Sequence, residues 1–162
     1  MESIKIDKNF SAGASSVSAC KQACAGGKID EIELEAVVGN LAKVREFINS
    51  HLAMIDCSSK SGMHIDLAAE EIFVNICNYA YAPGKGNVKV MISIIEDSKV
   101  EITFVDSGMQ YDPLANEDPD VTLSAEARKI GGLGIFLAKK TMDSVSYEYK
   151  DGKNVLRMTK KL

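Results

Sequence analysis

Three short segments carry the side chains best able to do chemistry. In AEEIFVNICNYAY, residues 69–81, Glu71 and Asn75 are four apart and Asn78 lies three further on. On a helix these three share one stripe. The amide oxygen of Asn75 is a hard ligand of the kind Mg²⁺ takes beside phosphates. A carboxylate one turn earlier can take a proton from a hydroxyl or water nucleophile. The same pattern also suits a solvated helix face whose side chains only form hydrogen bonds. In FVDSGMQYDPL, residues 104–114, Asp106 closes an apolar run and Gly108 follows two residues later. Such a carboxylate can accept a hydrogen bond from an exocyclic amine such as adenine N6. A glycine beside it lets backbone approach a flat ring. An ordinary strand-to-turn Asp-x-Gly would look the same. In KIGGLGIFLAKK, residues 129–140, Gly131, Gly132 and Gly134 flank Leu133 and open an apolar-periodic run. Backbone N–H groups at such a helix start suit a polyphosphate, and a tight loop without a ligand has the same spelling. No Gly-Lys-Ser/Thr follows, so this is not a Walker A loop, and the polar stretch before it makes a poor Rossmann fingerprint.

The elements that must position these residues are legible from periodicity. EIELEAV around Ile32 alternates as a short strand. Leu41, Val44, Phe47, Ile48, Leu52 and Ile55 recur at helical spacing and predict a helix over 41–56. CSSKSG then reads as a polar turn. Ile65, Ala69, Ile72, Phe73, Ile76 and Ala80 predict a second helix over 64–81, stopped by Pro83 and Gly84. His64 is expected at the start of that helix or on its surface. Val88 to Ile94 and Val100 to Phe104 alternate as a hairpin. Residues 107–130 are polar, hold Pro113 and Pro119, and offer only a short helical candidate near 124–129. A third helix is predicted over 133–143. A second hairpin follows, Val145 to Tyr149 and Val155 to Met158, turning at Asp151-Gly152. Hairpins alternating with helices predict an α+β fold, a two-layer sandwich of a mostly antiparallel sheet covered by helices.

The order of the three segments resembles the N, G1 and G2 boxes of the GHKL ATPase superfamily. The spelling EEIFVNICNYAY, DSGMQYDP and GGLGIFLAKKTMD is similar to its anti-sigma-factor serine-kinase branch. The resemblance spans about residues 31–162. It implies ATP and Mg²⁺ as cofactors, with Asp106 on adenine and Gly108 beneath the base. Asn75 would hold Mg²⁺ and Glu71 would be the general base. Asn78 would lie with the nucleotide, and Gly131, Gly132, Leu133 and Gly134 would form the phosphate loop. Residues 112–130 would be a mobile lid whose Arg128 or Lys129 offsets phosphoryl charge. The implied activity is phosphorylation of a serine on a STAS-type anti-anti-sigma partner, with a sigma factor as alternate partner. A homodimer through a sheet edge or the first helix is a further implication. The alternatives are a nucleotide-dependent binding module without kinase activity and a detached histidine-kinase catalytic domain. Two departures stand out: Tyr79-Ala80 replaces the His-Gly of some members, and residues 1–29 have no counterpart.

Composition agrees with a globular, cytoplasmic protein. The chain has 162 residues, 46% hydrophobic and 26% charged, which is one domain's worth. Residues 30–162 are expected to form the ATP-binding domain, and the Ser-, Ala- and Gly-rich stretch before them a flexible arm. A net charge of −4 argues against nucleic acid as a partner. No apolar run has signal-peptide or membrane-helix length. Cys20, Cys24, Cys57 and Cys77 are expected as free thiols in a reducing cytoplasm; Cys20 and Cys24 are four apart, as a metal pair could be, but His51 and His64 complete no ligand-spaced cluster with them.

Overall fold

The computed structural model describes residues 28–95, 98–115 and 133–162. In chain order the elements are β1 (Ile29–Glu35), α1 (Leu41–Leu52), α2 (Ser59–Tyr79), β2 (Asn87–Ile95), β3 (Lys99–Asp106), α3 (Leu133–Thr141), β4 (Ser144–Lys150) and β5 (Lys153–Lys161). The five strands form one antiparallel sheet in the order β1-β2-β3-β5-β4. The fold is the expected α+β sandwich.

Strand alternation decides which face the helices cover. Val88, Val90 and Ile92 of β2, Val100, Ile102 and Phe104 of β3, and Leu156 and Met158 of β5 are buried together. The helical layer meets them with Val44, Ile48 and Leu52 from α1, Ile65, Ala69, Ile72 and Phe73 from α2, and Ala138 from α3. On β1, Ile32 and Leu34 join this core while Glu31, Glu33 and Glu35 are exposed. Charged side chains lie across the other face of the sheet, where Lys89 pairs with Glu31 at 2.9 Å and Arg157 with Glu148 at 2.8 Å.

Helix bounds differ from the sequence expectation, each for a local reason. α1 stops at Leu52 rather than 56. Ile55 still packs on the core from the following turn, which prolongs the apolar period past the helix end. α2 begins at Ser59, so CSSKSG is a cap and a first turn rather than a loop. Ser58 is the N-cap, its Oγ accepting the Ser61 N–H at 3.1 Å. Ser61 in turn donates to the Lys161 carbonyl, tying this end of α2 to β5. α2 ends at Tyr79 rather than 81, and α3 at Thr141 rather than 143. The Asp151-Gly152 turn has φ of 52° and 75°, the two positive values a type I′ hairpin needs. The expected lid and its 124–129 helix lie outside the described residues beyond Ala115. Ser58→Ala is expected to lower stability by about 1 kcal/mol. Chemical denaturation should show a lower midpoint with an unchanged m-value.

Candidate functional site

Helix α2 carries the first half of the site. Its buried side holds Ile65, Ala68, Ala69, Ile72 and Phe73. Glu71 and Asn75 therefore fall at the boundary of that face and are half-buried, while Asn78 is exposed. α3 crosses α2 at Glu71. A Cβ placed on Gly134 would lie 2.1 Å from Glu71 Oε2 and 2.7 Å from its Cδ, so the carboxylate rests directly on the first turn of α3. A helix N-terminus carries partial positive charge, which favours an anion there. The segments around Glu71 and Gly134, more than sixty residues apart in sequence, thus form one place.

The second half lies at the end of β3. Asp106 is only 6% exposed. Its Oδ1 accepts the Gly108 N–H at 2.9 Å and the Asn154 Nδ2 at 2.8 Å. Gly108 is pressed against the C-terminal end of α2. A Cβ there would meet the Ala80 carbonyl oxygen at 2.3 Å, and the next amide, Met109 N, donates to that oxygen at 2.8 Å. The glycine is required by this helix end, whatever else approaches it. Tyr81 braces the same corner: its hydroxyl donates to the Asn87 carbonyl and accepts the Ser107 N–H. Burial pushes that hydroxyl above the ordinary tyrosine value; the bond from Ser107 opposes this, and the charges of Asp106 and Glu33 add to it.

Asn154, Tyr147 and Tyr81 are absent from the sequence-derived site. Asn154 did carry a signal, since it shares strand parity with buried Leu156 and Met158, where a polar side chain needs hydrogen-bond partners. Leu133 opens α3 and is exposed. Arg128, Lys129, Gly131 and Gly132 lie outside the described residues, as do Cys20 and Cys24. His64 sits in the second turn of α2, half-buried, with its Nδ1 buried and without a partner among the described residues. Cys57 and Cys77 are free thiols. Burial raises both, Cys77 to about 11, so neither is an activated nucleophile. Among the described residues no helix is long and apolar enough to cross a membrane.

A five-stranded antiparallel sheet under helices, with a Glu-x-x-x-Asn helix against a glycine-opened helix and a buried Asp-x-Gly, defines an ATPase domain of the histidine-kinase type. The chain belongs to the histidine kinase-like ATPase domain family, whose model matches residues 34–160. It is similar to the serine/threonine-protein kinase BtrW of Bordetella bronchiseptica, 29% identical over 82% of this chain and 93% of that protein. The serine-protein kinase RsbW of Listeria monocytogenes is 34% identical over 59% of this chain and 63% of the relative. RsbW of Bacillus cereus is 28% identical over 67% of this chain and 73% of its own length. In fold it is similar to a crystal structure of the RsbU and RsbW domains of a Mycobacterium tuberculosis protein. That match has a TM-score of 0.59 at 18% identity, covering 82% of this chain and 32% of that one.

The two close glycine contacts generate a contrast. At Gly134 the obstacle is the far end of a flexible side chain; at Gly108 it is backbone. Gly108→Ala is expected to destabilise by about 1–3 kcal/mol or more, and Gly134→Ala by less. Denaturation midpoints of the two variants check the order.

Proposed function

We propose that this protein kinase uses ATP with Mg²⁺ to phosphorylate a serine of a small partner of the STAS-type anti-anti-sigma class. In the same proposal it alternates between that partner and a sigma factor. The observation that carries the reading is the seating of Glu71 against Gly134, at the helix end where a triphosphate would be drawn. The relatives' names, a serine/threonine-protein kinase and a serine-protein kinase, support a hydroxyl acceptor.

Each residue then has a distinct task. Asp106 accepts the exocyclic amine of adenine. Gly131, Gly132, Leu133 and Gly134 would bind the phosphates through backbone N–H groups, with Arg128 or Lys129 as the compensating cation. Asn78 continues the polar stripe of α2 beside the nucleotide. The Asn75 carboxamide oxygen is a donor type that would suit Mg²⁺. The metal supplies charge neutralisation at the phosphates. Glu71 takes the proton of the acceptor serine as that oxygen bonds to the γ-phosphorus and the bond to the β–γ bridging oxygen breaks. ADP departs, and Glu71 returns its proton to solvent.

In this reading residues 30–162 are the ATP-binding domain, and the family match over 34–160 supports it. The residues that precede β1 are assigned no function. The setting is cytoplasmic, and self-association would use α1 or a sheet edge.

Three variants separate binding from chemistry. Glu71→Ala is expected to keep near-normal ATP affinity while single-turnover transfer to the serine partner falls about 10²–10⁴-fold. Asn75→Ala should also lose the Mg²⁺-dependent part of nucleotide binding. Asp106→Asn should weaken ATP binding by about 1.5–3 kcal/mol in titration calorimetry. Wild-type transfer rates in Glu71→Ala would leave a nucleotide-dependent binding module as the better description.

A further inference from the structure

Asn154 faces Asp106 directly across the β3–β5 ladder. It is 6% exposed, yet every hydrogen-bonding position of its carboxamide is used. Its Nδ2 donates to Asp106 Oδ1 at 2.8 Å and to the Met109 carbonyl at 3.1 Å. Its Oδ1 accepts the Tyr147 hydroxyl at 2.7 Å and the Tyr111 N–H at 3.3 Å. A carboxamide has two donor hydrogens and two acceptor lone pairs, so the group is saturated. The arrangement also fixes which end is which. Rotating the amide by half a turn would set its oxygen against a carboxylate and a carbonyl, and its NH₂ against the Tyr111 N–H.

We propose that Asn154, held in one orientation by Asp106, Met109 and Tyr111 and braced by Tyr147, is the positioning residue for nucleobase selection. It pins Asp106 Oδ1 and so leaves Oδ2 as the acceptor offered to an exocyclic amine. The proposal rests on Asp106 being the base-binding carboxylate. Asn154 acts through Asp106 and through the loop it anchors at Met109 and Tyr111. Both bonds from described residues to Asp106 end on Oδ1. A fixed acceptor favours adenine, which presents an amine at C6, over hypoxanthine, which presents a carbonyl there. Tyr147 must donate, and burial, with Asp112 and Asp106 adding, pushes its hydroxyl above the usual value so that it keeps its proton. The titratable groups around the junction are Asp106, Asp112, Tyr147, Tyr149 and Tyr81.

The isosteric variant Asn154→Asp tests this, with ATP and ITP as probes on the full chain. It sets two carboxylates within hydrogen-bond distance, which bind a shared proton more readily than a lone carboxylate does. At about pH 8 ATP affinity should fall about tenfold or more relative to wild type, with the ATP-over-ITP preference reduced. Lowering the pH to about 5.5 should shrink the variant-to-wild-type ratio, because the shared proton restores a donor to Asp106. A ratio that does not change with pH, whatever its size, overturns the proposal. Tyr147→Phe keeps the fold of the strand and removes one bond. It should weaken ATP binding several-fold with a flat ratio, and it decides the matter if Asn154→Asp does not melt cooperatively; unchanged affinity and selectivity there overturn the role. Failure of the wild-type protein to bind ATP removes the nucleotide reading itself, and this inference with it.

Discussion

The burial of α2 against the sheet is the constraint on which the site depends. Ile65, Ala69, Ile72 and Phe73 are almost wholly removed from water. Truncating a side chain such as Phe73 typically costs about 3–5 kcal/mol, so the rotation of the helix about its axis is strongly fixed. Once that rotation is fixed, Glu71 and Asn75 must lie at the rim of the core. The two ends of α2 are fixed as well. Ser61 bonds to the Lys161 carbonyl at one end, and the Ala80 carbonyl takes the Met109 amide at the other. The loop that follows Asp106 is thus attached to the helix carrying Glu71.

A buried carboxylate is costly unless its oxygens are hydrogen-bonded. At Asp106 one oxygen, Oδ1, is satisfied by partners drawn from the same loop and from β5. The amide partner then needs its own bonds satisfied, which brings in Tyr147 on β4 and the backbone at Met109 and Tyr111. Polar satisfaction therefore extends the site across three adjacent strands. It also explains why the edge strand β4, which supplies no expected catalytic group, matters for the geometry around Asp106.

The opposite edge of the sheet has a different character. Glu31, Glu33 and Glu35 project from β1 and meet Lys89, Asn87 and Lys85. Exposed pairs of this kind contribute little to stability, on the order of 0–1 kcal/mol each. Their larger effect is on association, because a second copy pairing along β1 would bring its carboxylates against these.

Local sequence by itself determined the element types, the antiparallel hairpins and the stripe of Glu71, Asn75 and Asn78. Strand and helix periods are intrinsic to how side chains leave the backbone, so alternation in β2 and β3 and the 3.6-residue recurrence in α2 can be read without a fold. The Asp-Gly turn between β4 and β5 was legible for the same reason, since few residues accept positive φ. Element ends were less legible where polar first turns, as in Ser59–Gly62, look like loops until the cap is seen. What only the tertiary structure decided is long-range. β5 pairs with β3 and places Asn154 on Asp106; α3 crosses α2 and places Gly134 on Glu71. Those contacts depend on which faces meet across the core and on unpaired polar groups finding partners far along the chain, and neither is encoded in any local window of residues.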